Sequence, residues 1–344
     1  MARKLASIQY VHDIWPIEGA DRVEAIGVLG WKCVAKKGGF HVGDWCVYFE
    51  IDSFLPIDER FEFLRAPSYK NSDLLGEGFR LKTQRFRGQI SQGLALPMDI
   101  LPPEDYELGQ GVAELLGVRK WEIEERASSN GTIIGTLPSG VPKTEETRVQ
   151  AEPGLIGEFR ELPYYITTKM DGTSVSMYFI DGKFGVCGHN YEYADDAACS
   201  FWRYARENDM EARLRAAGVG NVVLQGEFCG GGIQGNPLKL VKPEWYVFTI
   251  CDTATHRRWP LDEMIAFCDE AGFTRVPVEE REDCFGYDSV DALLIRARGQ
   301  YESGTTKEGI VVRPIEPVYS KILQAPLSMK VINNDYLLKK GKKS

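Results

Sequence analysis

The sequence predicts an α+β protein of two domains, a small β-barrel followed by a domain that mixes strands with a few helices. In the first third of the chain, short runs of alternating Val, Ile, Phe and Tyr are separated by Gly, Asp and Pro, a pattern typical of strands joined by tight turns. In the rest of the chain, stretches with helical spacing interrupt the strand-like runs. A length of 344 residues allows two domains, and 43% hydrophobic residues are enough for a packed core.

Composition argues against several classes of protein. No run of about 18 apolar residues predicts a membrane span, and the N-terminal segment lacks the apolar stretch of a signal peptide. The eight cysteines are scattered without a CxxC pair and the four histidines show no ligand spacing, so neither a disulfide framework nor a zinc site is indicated. We therefore expect a cytoplasmic protein with no membrane partner.

The first domain combines a predicted barrel with a basic segment. Two strand-rich segments, VEAIGVLGWKCVAKK and DWCVYFEIDSFLP, flank a Gly-Gly turn, and residues 80–89 (RLKTQRFRGQ) later place four cations around Phe86. A small closed barrel with a basic, aromatic face is typical of the oligonucleotide-binding (OB) architecture. We therefore predict that nucleic acid is bound by Arg80, Lys82, Arg85 and Arg87.

Two features limit that prediction. The net charge of −9 argues against a protein that coats nucleic acid over its whole surface, so binding would be local. In one regular strand, Arg80 and Lys82 would share a face while Arg85 and Arg87 occupied the other. All four can contact one ligand only if a turn or bulge intervenes near Gln84.

The domain boundaries follow from a change in composition. Residues 127–147 are rich in Gly, Ser, Thr and Pro, as expected of an interdomain linker. We place an OB-like nucleic-acid-binding domain at 1–128, the linker at 129–144 and the second domain at 145–344. In the second domain, helices are predicted at 194–218, at 260–273 and over SVDALLIRARG, with strands at 221–228 and 245–252.

A lysine in the second domain opens a series of short motifs. TTKMDGTSVSMYF, residues 167–179, places Lys169 where a strand gives way to a turn, because an apolar period of two resumes after Asp171-Gly172. A Lys-x-Asp-Gly turn alone is a weak signal. Here it is followed, in order, by QGE (225–227), YVF (246–248), EGIVVR (308–313) and SMK (328–330). This order favours a functional site at Lys169 over a plain hairpin tip.

The ordered set resembles the covalent nucleotidyltransferases, the superfamily of ATP-dependent RNA and DNA ligases and GTP-dependent mRNA capping enzymes. The resemblance covers almost all of residues 145–340 and looks closest to RNA ligases. An OB-type module ahead of the Lys-x-Asp-Gly domain is similar to RNA ligase family five. DNA ligases and capping enzymes carry their OB domain after the last motif, where only about fourteen residues follow Lys330 here. The implied fold is an OB-type β-barrel followed by a ligase-type nucleotidyltransferase domain with antiparallel sheets and flanking helices.

The resemblance implies a three-step reaction in which Lys169 attacks ATP to form lysyl-AMP, AMP passes to an RNA 5′-phosphate, and a 3′-hydroxyl seals the strand. The implied catalytic residues are Lys169 as nucleophile, Lys330, Glu308 and Asp171. The implied nucleotide-binding residues are Thr168, Arg148, Glu227, Phe248, Gly172 and Lys330. Asp171, Glu227 and Glu308 are the implied ligands of Mg²⁺ or Mn²⁺, directly or through water.

The residue types fit that chemistry. A lysine attacks phosphorus only when neutral, whereas its ordinary pKa is about 10.4, so we expect Lys330, Arg148 and a bound metal to depress the pKa of Lys169. Carboxylates such as Glu227 and Glu308 are hard oxygen ligands, and Phe248 offers a flat face for adenine. Two positions depart from the usual pattern: relatives often carry basic residues where this chain has His189 or Asn190, and again at Ile332.

Several alternatives stay open. A DNA ligase or a GTP-dependent capping guanylyltransferase would share the lysine chemistry, and nucleotide choice would separate them. A non-catalytic nucleic-acid-binding protein would keep the OB module with a decayed second domain. For the ligase we expect RNA as partner, as a nicked duplex with an RNA 3′-hydroxyl strand, and a monomeric protein, with the basic segment gripping the duplex near the nick.

Overall fold

A computed structural model describes residues 3–121 and 131–343, with side chains described up to residue 341. The described residues form two compact units. The first contains residues 3–121, 149–153 and 334–343, and the second contains residues 131–148 and 154–333. No helix in these described ranges is long and apolar enough to cross a membrane.

The first unit is built of short antiparallel strands, as the alternation of apolar residues predicted. The strands are β1 (Ala6–Tyr10), β2 (Asp13–Pro16), β3 (Val23–Val28), β4 (Trp31–Lys36), β5 (Trp45–Phe49), β6 (Ser53–Pro56), β7 (Tyr69–Ser72), β8 (Gly76–Arg80), β9 (Gln84–Phe86), β10 (Gln89–Ser91), β11 (Leu94–Pro97) and β12 (Arg119–Lys120). They form sheets in the orders β1-β5-β11, β2-β3-β4 and β12-β6-β8-β7, with a β9-β10 hairpin. Helix α1 (Arg65–Ser68), two 3₁₀ helices (Glu59–Leu64 and Met98–Ile100) and the C-terminal helix (Asn334–Lys343) complete the unit.

The second unit contains two larger antiparallel sheets. Its strands are β13 (Ile133–Thr136), β14 (Tyr164–Lys169), β15 (Thr173–Ile180), β16 (Lys183–Cys187), β17 (Tyr191–Tyr193), β18 (Val222–Cys229), β19 (Glu244–Asp252), β20 (Val278–Glu282), β21 (Gly309–Pro314), β22 (Tyr319–Ser320), β23 (Ala325–Pro326) and β24 (Met329–Ile332). Its helices are α2 (Leu155–Phe159), α3 (Ser200–Glu207), α4 (Met210–Ala216), α5 (Leu261–Ala271) and α6 (Val290–Arg296). The sheets have the strand orders β13-β17-β16-β15-β18-β19 and β20-β14-β21-β24.

One predicted helix is two helices in the structure. The segment 194–218 contains α3 and α4, which are separated at Asp209, a residue with φ of 50°. This left-handed conformation interrupts the helix, and Asp tolerates it better than most residues with a Cβ. The helical spacing was therefore a sound signal, but it did not reveal the break.

The chain divides differently from the predicted boundaries of 1–128, 129–144 and 145–344. The segment expected to be linker contains β13, which pairs with β17 at the edge of the six-stranded sheet. The C-terminal helix belongs to the first unit because Leu337 packs on the buried cluster around Trp31 and Tyr48. Residues 122–130, where the predicted linker begins, lie outside the described residues.

Candidate active site

Lys169 is the last residue of β14 and lies at the edge of the four-stranded sheet. β14 pairs with β21 so that Lys169 is opposite Gly309, which brings Glu308, the residue just before β21, close to the lysine. Lys169 Nζ lies 3.0 Å from Glu308 Oε2, and the two side chains are 23% and 17% exposed. Two motifs that are 139 positions apart in the chain therefore meet in one ion pair.

Glu227 reaches the same place from the six-stranded sheet. It lies on β18 opposite Ser174, and its Oε1 accepts a hydrogen bond of 3.1 Å from the Gly172 amide. A Cβ at position 172 would lie 2.4 Å from the Phe228 carbonyl oxygen, so only glycine permits this close approach. The Asp-Gly turn is thus fixed against β18, and Gly172 is needed for space.

The charges around Lys169 differ from the expectation. Burial lowers the pKa of Lys169, but the carboxylates of Glu308, Glu227 and Asp171 together raise it above its ordinary value. We expected Lys330, Arg148 and a bound metal to depress this pKa; among the protein side chains the carboxylates outweigh the cations, and the effect of a metal stays a prediction. Among these side chains the amine is an ammonium.

The pKa of Glu227, in the same cluster, is also raised. Burial raises its pKa to about 7, with further contributions from Glu308 and Asp171, while the charge of Lys169 acts against them. Three carboxyl groups thus converge on one ammonium, and this excess of acidic groups fits a pocket that takes up a cation.

The predicted metal ligands do not form a ready-made ligand cage. In the described ranges no three His, Cys, Asp or Glu side chains come close enough together to hold an ion. Asp171, Glu227 and Glu308 therefore fit an ion that keeps part of its water shell, which is the usual habit of Mg²⁺. Of the two modes predicted, direct or through water, the donor set favours water.

The two predicted cations lie on neighbouring segments, Lys330 in β24 beside β21 and Arg148 in the stretch that bridges to it. Lys330 on β24 is opposite Val311, and its amide donates a hydrogen bond of 2.8 Å to the Thr147 carbonyl. Arg148 forms a parallel bridge with Lys330. Because residues two apart in a strand share a face, Lys330 projects from the same face of the sheet as Lys169.

Thr168 projects from the opposite face. Its hydroxyl donates a hydrogen bond of 2.7 Å to Glu279 Oε1, so its side chain is already engaged there. Glu279 also pairs with Lys307 at 2.7 Å and with Arg296 at 2.8 Å. Strand alternation explains this orientation, which directs the side chain away from the face that carries Lys169. Nucleotide binding by Thr168 stays a prediction.

Phe248 occupies a β-bulge. In the pairing of β18 with β19, Gln225 is opposite Thr249 and Gly226 is opposite Val247, so Phe248 is the extra residue. Bulges commonly re-aim a side chain beside a functional site. The Phe248 ring is half-buried next to Met170 and Tyr246, with the Arg313 guanidinium 5.8 Å from its centre. The ring belongs to the same cluster as Met170, the residue after Lys169, and its stacking on a base stays a prediction.

A buried ion-pair network, which the sequence interpretation missed, supports this region. Arg313 is 3% exposed and donates a hydrogen bond of 2.6 Å to Glu146, while its other amino group donates to the Phe248 carbonyl. The Ser328 hydroxyl also donates to Glu146, and Arg258 lies 4.0 Å away. Burial would raise the pKa of Glu146, but Arg313 and Arg258 hold it at about 2. The available signal was Arg313 at the end of EGIVVR.

The two departures from the family pattern have clear surroundings. His189 Nε2 is 3.5 Å from Glu145 Oε1, and its Nδ1 is 3.3 Å from Thr144 Oγ1, which is 2.5 Å from Ser174 Oγ. Ile332 is 3% exposed and lies opposite Gly309. His189 is therefore a polar neighbour of the strand that carries Ser174, and Ile332 is a core residue.

The predicted basic cluster of the first unit is divided by the structure. Arg80 ends β8, is 8% exposed, lies over the Trp121 ring at 4.7 Å and pairs with Asp52 at 3.7 Å. Lys82 is half-buried and donates to the Gly341 carbonyl at 3.4 Å.

The β9-β10 hairpin then places Arg85 and Arg87 in solvent beside the 43%-exposed ring of Phe86. The expected break near Gln84 exists, since β9 begins there. Burial of Arg80 removes it from the surface, so a direct contact with nucleic acid, as predicted, does not fit.

Comparisons with known proteins agree with one another. A family model described as RNA ligase matches residues 162–332, and a model of an OB-fold domain matches residues 5–98. The structure of Naegleria gruberi RNA ligase with PPi is 35% identical, with a TM-score of 0.90 and 100% of each chain covered. Two variants of that ligase, with ATP and Mn and with AMP and Mn, are 34% and 35% identical at TM-scores of 0.90, covering 99% of this chain and 100% of theirs. A search among curated protein sequences found no match.

Proposed function

We propose a residue-level mechanism from one premise: the chain belongs to the RNA ligase family, with an N-terminal OB-fold domain, and performs ATP-dependent RNA ligation. In this mechanism Lys169 is the residue that carries AMP. The observation behind the proposal is the ion pair of Lys169 with Glu308, 3.0 Å long, at a sheet edge from which Lys330 projects on the same face. A hairpin-tip lysine without function would not require this convergence of three carboxyl groups.

In the first step, Lys169 Nζ forms a bond to the α-phosphorus of ATP, and the bond from that phosphorus to the bridging oxygen breaks, releasing pyrophosphate. The ammonium must first lose a proton. Glu308 is placed to accept it, because its Oε2 is already in contact with Nζ. In this step Lys330 and Arg148 supply positive charge that stabilises the α-phosphate in the transition state; the bridge between them, with Lys330 on the face that carries Lys169, supports this role.

In the second and third steps, the RNA 5′-phosphate oxygen attacks the phosphorus of lysyl-AMP and releases the lysine. The RNA 3′-hydroxyl then attacks the 5′-phosphate and releases AMP. Phe248 holds the adenine by stacking throughout, and its half-buried ring at a strand bulge supports this role.

A divalent ion, Mg²⁺ or Mn²⁺, would be held by Asp171, Glu227 and Glu308 through water. When bound, it supplies positive charge that neutralises the phosphates and offsets the carboxylates around Lys169. Burial raises the pKa of Glu227 to about 7, and Glu308 and Asp171 add to the rise; an added cation would stabilise the charged form of this carboxyl group, which supports the assignment.

The finer description of the substrate is also part of the proposal. We infer a nicked duplex with an RNA 3′-hydroxyl strand, bound by Arg85 and Arg87 of the first unit near the nick, and a monomeric enzyme in the cytoplasm. Two exposed arginines around an exposed aromatic ring suit contact with phosphates and bases.

The first experiment uses ATP labelled at the α-phosphate, with Mg²⁺ or Mn²⁺, followed by denaturing electrophoresis. The proposal expects label on the wild-type protein and on Lys183→Ala, a control at an exposed lysine, but none on Lys169→Ala. Label on Lys169→Ala would show that another residue is the nucleophile. Label from GTP in a parallel sample would contradict the choice of ATP.

A further inference from the structure

Tyr301 joins the proposed nucleophile to its partner carboxylate through backbone groups. Its hydroxyl donates a hydrogen bond of 2.7 Å to the Lys169 carbonyl and accepts one of 3.0 Å from the Glu308 amide. The side chain is 8% exposed. One phenol oxygen therefore connects the residue that ends β14 to the residue that precedes β21.

The ring of Tyr301 is itself fixed. It packs in a buried cluster with Met170, Cys229 and Val276, on the same side as the Asp-Gly turn. Its amide donates a hydrogen bond of 2.8 Å to the Thr305 carbonyl, and its carbonyl accepts one of 2.9 Å from Gly304. A rigid ring held at both its backbone and its side chain acts as a spacer of constant length.

The residues flanking this link are held by a second set of contacts. Glu279 binds Thr168, just before Lys169, and Lys307, just before Glu308. The Asn333 amide donates a hydrogen bond of 2.8 Å to the Glu308 carbonyl. The strand pairing and these contacts keep the fold of the edge, so removing one phenol oxygen should loosen the two reacting groups and leave the sheet intact.

We propose that Tyr301 is a positioning residue, whose hydroxyl sets the geometry of Lys169 relative to Glu308 for formation of lysyl-AMP. The inference rests on the proposed role of Lys169. Tyr301 acts through the backbone of its two partners, so it should affect the rate of the chemical step more than the binding of ATP.

The test compares Tyr301→Phe with Tyr178→Phe. Both changes remove one hydroxyl from a tyrosine that is 8% exposed, and the Tyr178 hydroxyl donates to Glu192 on the six-stranded sheet. Single-turnover formation of labelled lysyl-AMP is measured over a range of ATP concentrations, together with the thermal midpoint of each protein. For Tyr301→Phe we expect the maximal rate to fall about 10- to 100-fold, with the ATP concentration at half-maximal rate changed less than about twofold. Tyr178→Phe should keep the wild-type rate.

Two outcomes would overturn the proposal. One is a maximal rate for Tyr301→Phe within about twofold of wild type, because the hydroxyl would then contribute nothing measurable to the chemical step. The other is a rate loss that comes with a raised ATP half-saturation and a thermal midpoint below that of Tyr178→Phe, which would indicate general loss of structure. Lys169→Ala is included in parallel: if it still accepts label, the proposed nucleophile has failed, whereas a dead Lys169→Ala beside a normal Tyr301→Phe rejects the Tyr301 role alone.

Discussion

Lys169 and Glu308 form an ion pair of 3.0 Å, and together with Glu227 and Asp171 this carboxylate raises the pKa of the lysine. The protein's own side chains therefore hold the nucleophile in its protonated form. Activation requires that the negative charge around it be offset, which the phosphates of ATP alone cannot do. A bound divalent cation would offset this negative charge and so lower the pKa of Lys169, which would allow the lysine to act as the nucleophile.

Glu308→Gln should reduce the rate of lysyl-AMP formation by about 100-fold or more, because the amide keeps the shape of the side chain but cannot accept the proton from Lys169. Single-turnover labelling with α-labelled ATP measures this directly. Glu316→Gln, at an exposed position shortly after β21, is the matched control and should behave as wild type. A Glu308→Gln enzyme with an unchanged rate would remove Glu308 from proton transfer.

Phe248→Ala should raise the ATP concentration needed for half-maximal labelling about 10-fold, because stacking of a base on an aromatic ring contributes about 1–3 kcal/mol. Phe248→Tyr keeps the aromatic face and should stay within about twofold of wild type. The two variants are compared by the ATP dependence of lysyl-AMP formation. Equal effects of the alanine and tyrosine changes would mean that the ring does not stack on adenine.

The order of the motifs led to Lys169, Glu308 and Lys330 as site residues, and the structure brings these three together on adjacent strands, while their roles stay predictions. The sequence interpretation did not give the orientation of every predicted side chain. The order of motifs carries no information on which face of the sheet a side chain occupies. The alternation of side chains along a strand does show which face each one occupies, and it places Thr168 on the face opposite to Lys169.

Other features depend on tertiary contacts that a local pattern does not encode. The bulge at Phe248 is a mismatch between two strands, visible only once their register is known. Tyr301 reaches Lys169 from a loop 132 positions away in the chain. The raised pKa of Lys169 depends on the sum of several charges at short distances, so the presence of lysine and arginine motifs could not predict its sign.

Glu146 predicts a pH-dependent contribution to stability. Its pKa is held at about 2 in the folded protein, below the ordinary value of 4.5, by Arg313 and Arg258. A lowered pKa means that the folded state favours the carboxylate, so the stabilisation is fully present above pH 4.5 and is lost as the pH falls towards 2. Glu146→Gln should lower the free energy of unfolding at pH 7 by about 3 kcal/mol, since it leaves a buried arginine without its counter-charge.

The measurement is urea denaturation of both proteins at pH 7 and at pH 4. The difference between wild type and Glu146→Gln should be smaller at pH 4, because the wild-type carboxylate has begun to lose its advantage there. Glu263→Gln, at an exposed carboxylate paired with Arg257, is the control and should cost less than about 1 kcal/mol. A gap between wild type and Glu146→Gln that widens at pH 4 would contradict the sign of the shift.

Substitutions in the basic cluster should have different effects, because Arg80 is buried whereas Arg85 and Arg87 are exposed. Arg85→Ala with Arg87→Ala should weaken sealing of a nicked RNA duplex and lower the slope of log affinity against log salt by about 2, one for each lost phosphate contact. Lysyl-AMP formation should be unchanged, since Lys169 and its partners lie in the second unit. Arg80→Ala should instead lower the thermal midpoint of the protein, because it removes a buried cation from Trp121 and Asp52. Sealing and RNA affinity equal to wild type in the Arg85 and Arg87 double variant would show that the RNA is bound elsewhere on the protein.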